Sequence, residues 1–436
     1  MTAPSTIPPG GATTDNPTFA AMAGWAAWQR AGLYALIGLL LLAITRVVAD
    51  TSELTSSGTT GAALRLGVPI LLAALGGIYS ERSGIINIGL EGMMVLGTWF
   101  GAWGAWEFGI WWGVALGLLG GAIGGLVHAI ATVTFGVDHI ISGVAINILG
   151  AGIARYLSVI TYTSGTGGGA NQSPPINQDI PTVTVPFLAG GDLFGWQSPD
   201  LFGWLEEQGW FLVSDVGGIL KGLTWNVSLF TVLALALVPF TWWLLWRTAF
   251  GLRLRSCGEN PEAAESLGVP VYRMKYAAVS LSGAMAGLGG AYLALVASNL
   301  YREGQTGGRG FIGLAAMIFG NWNPFGAAGG AGLFGFTDAL QLRSDAAIQA
   351  LLLFVAMLSA VLALRAWFVL RKPISTAVLA ATSVGFLVWY IVSDEVPRQF
   401  VTFTPYVVTL LVLAFATQRL RPPAWNGRVY RKGEAH

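Results

Sequence analysis

Runs of about 20 mostly apolar residues recur from residue 31 almost to the end of this 436-residue chain, and each is long enough to carry a helix across ~30 Å of hydrocarbon. Segments near 31–49, 61–79, 84–107, 110–135, 140–160, 225–246, 276–298, 346–370, 374–393 and 400–417 read as crossings. Lipid offers the backbone no hydrogen bonds, so each N–H and C=O must be satisfied within the segment, and the runs must be helices. The stretch 310–341 is equally apolar but is broken by Asn321-Trp322-Asn323-Pro324, so two half-helices or a re-entrant hairpin are expected. The expected fold class is all-α, a polytopic transmembrane bundle of about ten crossings plus the broken segment. Charged residues make up only 10% of the chain, against roughly 25% in soluble proteins, too few to cover a soluble surface. The 60 glycines suit helices whose backbones approach closely in lipid.

Lysine and arginine placement sets the orientation. Arg247, Arg253, Arg255, Arg273 and Lys275 cluster in 247–275, Arg371 and Lys372 form a second group, and Arg419, Arg421, Arg428, Arg431 and Lys432 a third. All fall on one side, which is assigned as cytoplasmic, with both termini. The loop 161–224 falls on the opposite side and holds one basic residue, Lys221, against six acidic ones. Arg302 and Arg309 run against this rule and are expected to face protein. The domains are then an N-terminal tail 1–30, a transmembrane domain 31–420 with external loop 161–224 and cytoplasmic loop 247–275, and a C-terminal tail 421–436. The Thr/Pro/Gly/Ala-rich tail lacks the basic and apolar regions of a signal peptide.

Several function classes are excluded or unsupported. Net charge is +1, which gives no reason to expect nucleic acid. Cys257 is the single cysteine, so neither an internal disulfide nor a Cys-rich metal site can form. His128, His139 and His436 lack metal-ligand spacing and are expected to be structural. No G-x-x-x-x-G-K-[ST] motif is present.

Three motifs stand out. The first is Glu81-Arg-Ser-Gly-Ile-Ile-Asn-Ile-Gly-Leu-Glu-Gly-Met-Met94. Ser83, Asn87 and Glu91 are four apart and would share one face of a helix. A carboxylate in a span costs roughly 2.5–3.5 kcal/mol on insertion scales, so Glu91 must face a polar path or a partner inside the bundle. Ser83 also fits a helix N-cap. In the second motif, Ile88-Gly-Leu-Glu-Gly-Met93 is echoed by Ile312-Gly-Leu-Ala-Ala-Met317. The two copies would enter from opposite sides, the pattern of an inverted internal repeat. The third is Gly258-Glu-Asn-Pro-Glu-Ala-Ala-Glu-Ser-Leu-Gly268. Asn260 is placed as an N-cap, Pro261 at the first turn and Gly268 as a stop. This makes a short cytoplasmic helix on which Ala263 and Ala264 would offer a flat docking face, or else a plain connector.

Glu262-Ala-Ala-x-x-x-Gly268 resembles the coupling loop of ATP-binding-cassette importer permeases. Ser83-Gly-Ile-Ile-Asn-Ile-Gly-Leu-Glu-Gly92 is similar to the signature of their simple-sugar and nucleoside branch, related to ribose and branched-chain amino-acid permeases. The resemblance covers about 60–420. It implies a non-enzymatic transport subunit in the cell membrane. Its implied partners are an ATPase chain that binds ATP and Mg, an external solute-binding lipoprotein, and a second, paralogous permease or another copy of itself. No cofactor is expected on this chain. The resemblance further implies that Glu259, Asn260, Pro261, Glu262, Ala263, Ala264 and Gly268 contact the ATPase. Ser83, Asn87, Glu91, Met94, Trp99 and Asn321 would line the path, with amides for hydrogen bonds and Met94 or Trp99 for a flat base. An ion-coupled secondary transporter using Glu91, or an intramembrane enzyme, are the alternatives.

Overall fold

The computed structural model describes residues 27–432 except 164, 194, 342, 344, 370 and 394–419. Most of the N-terminal tail and the crossing expected at 400–417 lie outside the described residues. The helices are α1 (Ala27–Val48), α2 (Ser57–Arg82), α3 (Leu90–Phe108), α4 (Ile110–Ala129), α5 (His139–Tyr162), α6 (Leu201–Glu207), α7 (Val213–Thr224), α8 (Leu229–Arg247), α9 (Ala249–Glu259), α10 (Pro261–Ser266), α11 (Val271–Tyr292), α12 (Arg309–Phe319), α13 (Pro324–Leu340), α14 (Asp345–Phe368) and α15 (Pro373–Val392). Among the described residues, strands are limited to two short antiparallel pairs, Thr182–Val183 with Val227–Ser228 and Asp192–Leu193 with Trp196–Gln197. Among the same residues, seven helices are long and apolar enough to cross a membrane.

The chain divides into two compact units. The smaller comprises Met1–Thr55, Gln208–Val216 and Asp345–Val396. In it α14 packs on α15 and α1, and Arg46 pairs with the buried Asp215 at 3.0 Å. The larger comprises Ser56–Glu207, Gly217–Ser344 and Pro397–His436 and holds all three sequence motifs.

The larger unit is organised around α2 and α11, which lie side by side. Helix α11 also packs on α3 and α4, and α2 on α12 and α13. Glycines set the spacing. Gly113, Gly117, Gly121 and Gly125 recur every four residues and so form one smooth face of α4. A Cβ added at Gly121 would lie 2.2 Å from the Gly283 carbonyl oxygen, and one at Gly287 2.4 Å from that of Gly117. On the other side, a Cβ at Gly335 would lie 2.4 Å from the Ala63 carbonyl oxygen. Backbones this close gain dispersion contact that a side chain would prevent. Both α4 and α11 finish in a widened π turn, at Ile130–Thr134 and Leu293–Ala297.

Two breaks interrupt this packing. The span expected over 84–107 is helical only from Leu90, because residues 83–89 leave the helix. Gly84 turns the chain at φ +90°, a conformation closed to most side chains. Ser83 is the C-cap of α2, not an N-cap: its Oγ donates to the Ser80 carbonyl at 2.7 Å. The Ser83, Asn87 and Glu91 face therefore does not exist as one helical surface. The second break is the expected one at Asn321-Trp322-Asn323-Pro324. Asn321 and Trp322 adopt φ +53° and +54°, and Asn323 caps α13 ahead of Pro324. The two echoed hexapeptides sit differently: Ile88 precedes its helix, whereas Ile312 lies inside α12. Arg309 faces protein, pairing with Asp338 at 3.2 Å.

Replacing Gly121 by Leu should cost about 3 kcal/mol or more by overpacking the α4–α11 contact. Gly152, with nothing within 4 Å of an added Cβ, should accept Leu with little change. Thermal unfolding of the two variants in detergent checks the contrast.

Candidate functional site: a junction of two helix starts

Residues 84–89 run non-helically into the bundle. Asn87 Nδ2 donates to Ser282 Oγ at 2.9 Å. Ser282 lies eleven residues along α11 from Val271, about 16 Å from that end at 1.5 Å per residue. Irregular backbone at such depth must be satisfied by protein, and side chains from three helices do so. From α2, Ser80 Oγ donates to the Ile85 carbonyl at 2.7 Å. His128 Nε2 lies 3.1 Å from the Ile86 carbonyl, and the Ile86 N–H points at His139 Nδ1 at 3.4 Å. From α5, Asn147 Nδ2 donates to the Ile88 carbonyl at 3.1 Å while its Oδ1 accepts from the Gly92 N–H at 2.7 Å. A carbonyl partner requires the His128 proton on Nε2, which leaves Nδ1 to accept from Ser142 Oγ at 2.8 Å.

At the top of this segment α3 begins, and its first turn meets the first turn of α12. The Glu91 carboxylate spans the junction. Oε1 accepts from the Gly308 N–H at 2.9 Å and Oε2 from the Gly310 N–H at 2.7 Å. A helix start carries free N–H groups and about half a positive charge, so a carboxylate is well placed there. Gly308 supplies the left-handed cap at φ +79°. A Cβ on Gly310 would lie 2.5 Å from the Glu91 nitrogen, so only glycine lets the two helix starts come this close. Glu91 itself is half-buried, so part of the residue remains accessible.

The remaining sequence candidates do not touch the Glu91 carboxylate. Asn87 is fully buried, and its Oδ1 has no hydrogen-bond partner. Met94 is fully buried between Ala73 and Leu293. Trp99 packs against Trp103 and Tyr162, and its Nε1 donates to Ser158 Oγ at 3.1 Å. Asn321 sits at the far end of α12, where its Oδ1 accepts from the Arg421 N–H at 2.8 Å. The junction residues that sequence reasoning missed are Asn147, Ser282, Gly308 and Gly310. A polar residue within an apolar run was the available signal for Asn147 and Ser282. The partner each one serves is far away in sequence.

The second candidate surface is α9–α10. Asn260 Oδ1 accepts from the Ala263 N–H at 2.9 Å, Pro261 opens the helix, and Gly268 ends it at φ +80°. The expected flat pair of alanines is split. Ala264 turns inward onto Cys257, Val271 and Tyr430, and Ala263 faces out. The exposed patch is instead Glu259, Ala263, Ser266 and Leu267, the last an apolar side chain 85% exposed. Burial pushes the Cys257 thiol up to about 11, with the nearby Lys275 charge acting the other way.

Residues 59–362 match the family of branched-chain amino acid transport system permease components. The chain belongs to this family. The permease is 32% identical over 380 residues to the guanosine ABC transporter permease protein NupQ of Bacillus subtilis, covering 86% of this chain and 96% of that one. It is also 32% identical over 373 residues to the nucleoside ABC transporter permease protein NupC of Lactococcus lactis, covering 84% and 94%. To the putative glucose ABC transporter permease protein TsgC13 of Haloferax volcanii it is 34% identical over 298 residues, covering 68% and 80%. No solved structure matches the permease.

Asn147→Leu should leave the Ile88 carbonyl and the Gly92 N–H unpaired, lowering stability by about 1–3 kcal/mol for each group left buried; thermal unfolding reads this directly. Because Cys257 is fully buried and its thiol is raised, it should resist maleimide at pH 7 in the folded protein and react once the protein is unfolded in denaturant at the same pH, which the mass shift reads.

Proposed function

We propose that this permease carries an uncharged nucleoside inward across the cell membrane, as one half of an ATP-binding-cassette importer. An external binding protein delivers the solute, and a separate ATPase chain binds ATP and Mg. The observation that carries the reading is the seat of Glu91 on the start of α12. Two helix starts converge inside an apolar bundle, the arrangement by which transporters place a polar binding point between repeats. The anion position at α12 is already filled by a carboxylate. A phosphate or second carboxylate arriving there would meet like charge, whereas a ribose hydroxyl or base amino group could donate to the outer edge of Glu91. The names of the guanosine and nucleoside relatives point the same way.

The reciprocal packing supports an inverted repeat in which α2, α3 and α4 correspond to α11, α12 and α13. Helix α2 packs on the second and third members of the other set, and α11 does the same in return. In this reading 83–89 enters from the cytoplasmic side and 298–308 from outside. Basic residues in 247–275, at Arg371–Lys372 and in the C-terminal segment support cytoplasmic termini. Asn87, Met94 and Trp99 are then second-tier path residues, buried in this structure and reached as the halves rock apart. The ATPase would dock on the exposed patch of α9–α10, with Leu267 seated in its groove.

Glu91→Gln keeps one acceptor and turns an N–H toward an N–H, so uptake of labelled guanosine into vesicles should fall at least about 10-fold with the ATPase still bound. Guanosine should compete for uptake while its 5′-monophosphate does not. Wild-type uptake by the variant, or equal competition by the nucleotide, would refute the Glu91 assignment. Leu267→Asp should release the ATPase on purification, and retention of the ATPase counts against docking at α10.

A further inference from the structure

Residues 421–432 read in the sequence as no more than a basic tail, yet they lie bound along one end of the larger unit. Their contacts fall into two groups. One group holds α9–α10: the Trp425 N–H donates to the Gly258 carbonyl at 2.8 Å, the Tyr430 hydroxyl bonds Glu265, and Lys432 Nζ lies 3.4 Å from Glu265. The other holds the inner ends of the path helices. Asn426 Nδ2 donates to Glu81 Oε2 at 2.8 Å, the Gly427 N–H to the Gly84 carbonyl at 3.1 Å, and the Arg421 N–H to Asn321 Oδ1 at 2.8 Å. Glu81 in turn accepts from Trp322 Nε1 at 2.7 Å. By direct side-chain bonds, α2 and the α12–α13 turn are thus joined through one carboxylate, and the segment closes over it.

Two ionisable groups lie under this cover. Glu81 is 6% exposed and held by neutral donors. Lys275, on α11, is 1% exposed; its Nζ has no hydrogen-bond partner and lies 5.9 Å over the Tyr430 ring. Taking an ion out of water is costly unless its partners repay it. Lifting the segment would return water to both groups, so the closed arrangement is held against a standing tendency to open.

We propose that Arg421–Lys432 is a strap that fastens the ATPase-docking helix α10 to the inner ends of α2, α11 and the α12–α13 turn, so that motion of α10 opens the path through it. The proposal rests on the importer reading above and names Asn426 and Tyr430 as positioning residues. Displacement of α9–α10 carries Gly258 and Glu265 with it, and the strap is pulled from Glu81 and Gly84. Water then enters at Glu81 and Lys275, and the α2 end separates from Trp322.

The test uses the full complex, purified with its ATPase and reconstituted in vesicles, and reads guanosine uptake and ATP hydrolysis side by side. Asn426→Ala and Tyr430→Phe should keep ATP hydrolysis within about twofold of wild type and lower uptake per ATP about 10-fold. Asn426→Asp places a second anion against Glu81 and should do the same. Combining it with Glu81→Gln should restore coupling, since the neutral amide at position 81 removes the repulsion from the carboxylate introduced at position 426. Wild-type uptake per ATP in all single variants overturns the strap, as does a parallel loss of hydrolysis and uptake without rescue. If the unmodified complex shows no ATP-dependent uptake, the importer reading fails first and the strap's role fails with it.

Discussion

The hydrogen bonds from Gly308 and Gly310 to Glu91 hold together residues more than two hundred positions apart in the sequence. They join the start of α3 to the start of α12. Without a carboxylate, the free N–H groups at the start of α12 would face an apolar bundle with no acceptor. Without those N–H groups, the half-buried Glu91 carboxylate would stand at the start of α3 with no donor from α12. Each group makes the other tolerable, and a lipid-embedded protein can hold a polar point at that depth only by such reciprocity.

The rest of the junction exists to let those starts meet. A helix cannot begin inside a bundle unless the backbone leading to it is satisfied. Ser80, His128, His139 and Asn147 do this for residues 85–88. The glycine faces of α4 and α11 bring those two helices to backbone contact, which fixes the position from which His128 reaches. At the other end, Glu81 plays a related part. It gathers Trp322 and Asn426 and so ties the α12–α13 turn and the C-terminal segment to the end of α2.

The long apolar runs were legible because the 20-residue length and the charge deficit are one-dimensional properties. The short helix at α10 was legible for a similar reason: Asn260, Pro261 and Gly268 act on backbone within a few residues. Residues 83–89 were not, because Ser83, Asn87 and Glu91 have helical spacing, and spacing cannot reveal that Gly84 has turned the chain. Ala263 and Ala264 part company because adjacent residues on a helix point about 100° apart, so a shared face was never available to them. Trp99, expected on the path, is held by Ser158 and Tyr162 in the core, a contact that apolarity alone cannot distinguish from a stacking surface.

By itself the sequence determined that the chain enters a bilayer as helices, that its segment 310–341 is broken, and that one loop carries a capped helix. Local rules suffice there, since helix formation in lipid and capping both involve backbone groups only a few residues apart. Only the tertiary structure decided that Glu91 serves the start of a helix more than two hundred residues away. It also decided that His128 and His139 meet the Ile86 carbonyl and N–H, and that residues 421–432 bind the ends of the bundle. Those outcomes depend on which unsatisfied donor meets which buried acceptor, and that pairing is settled only when the helices pack.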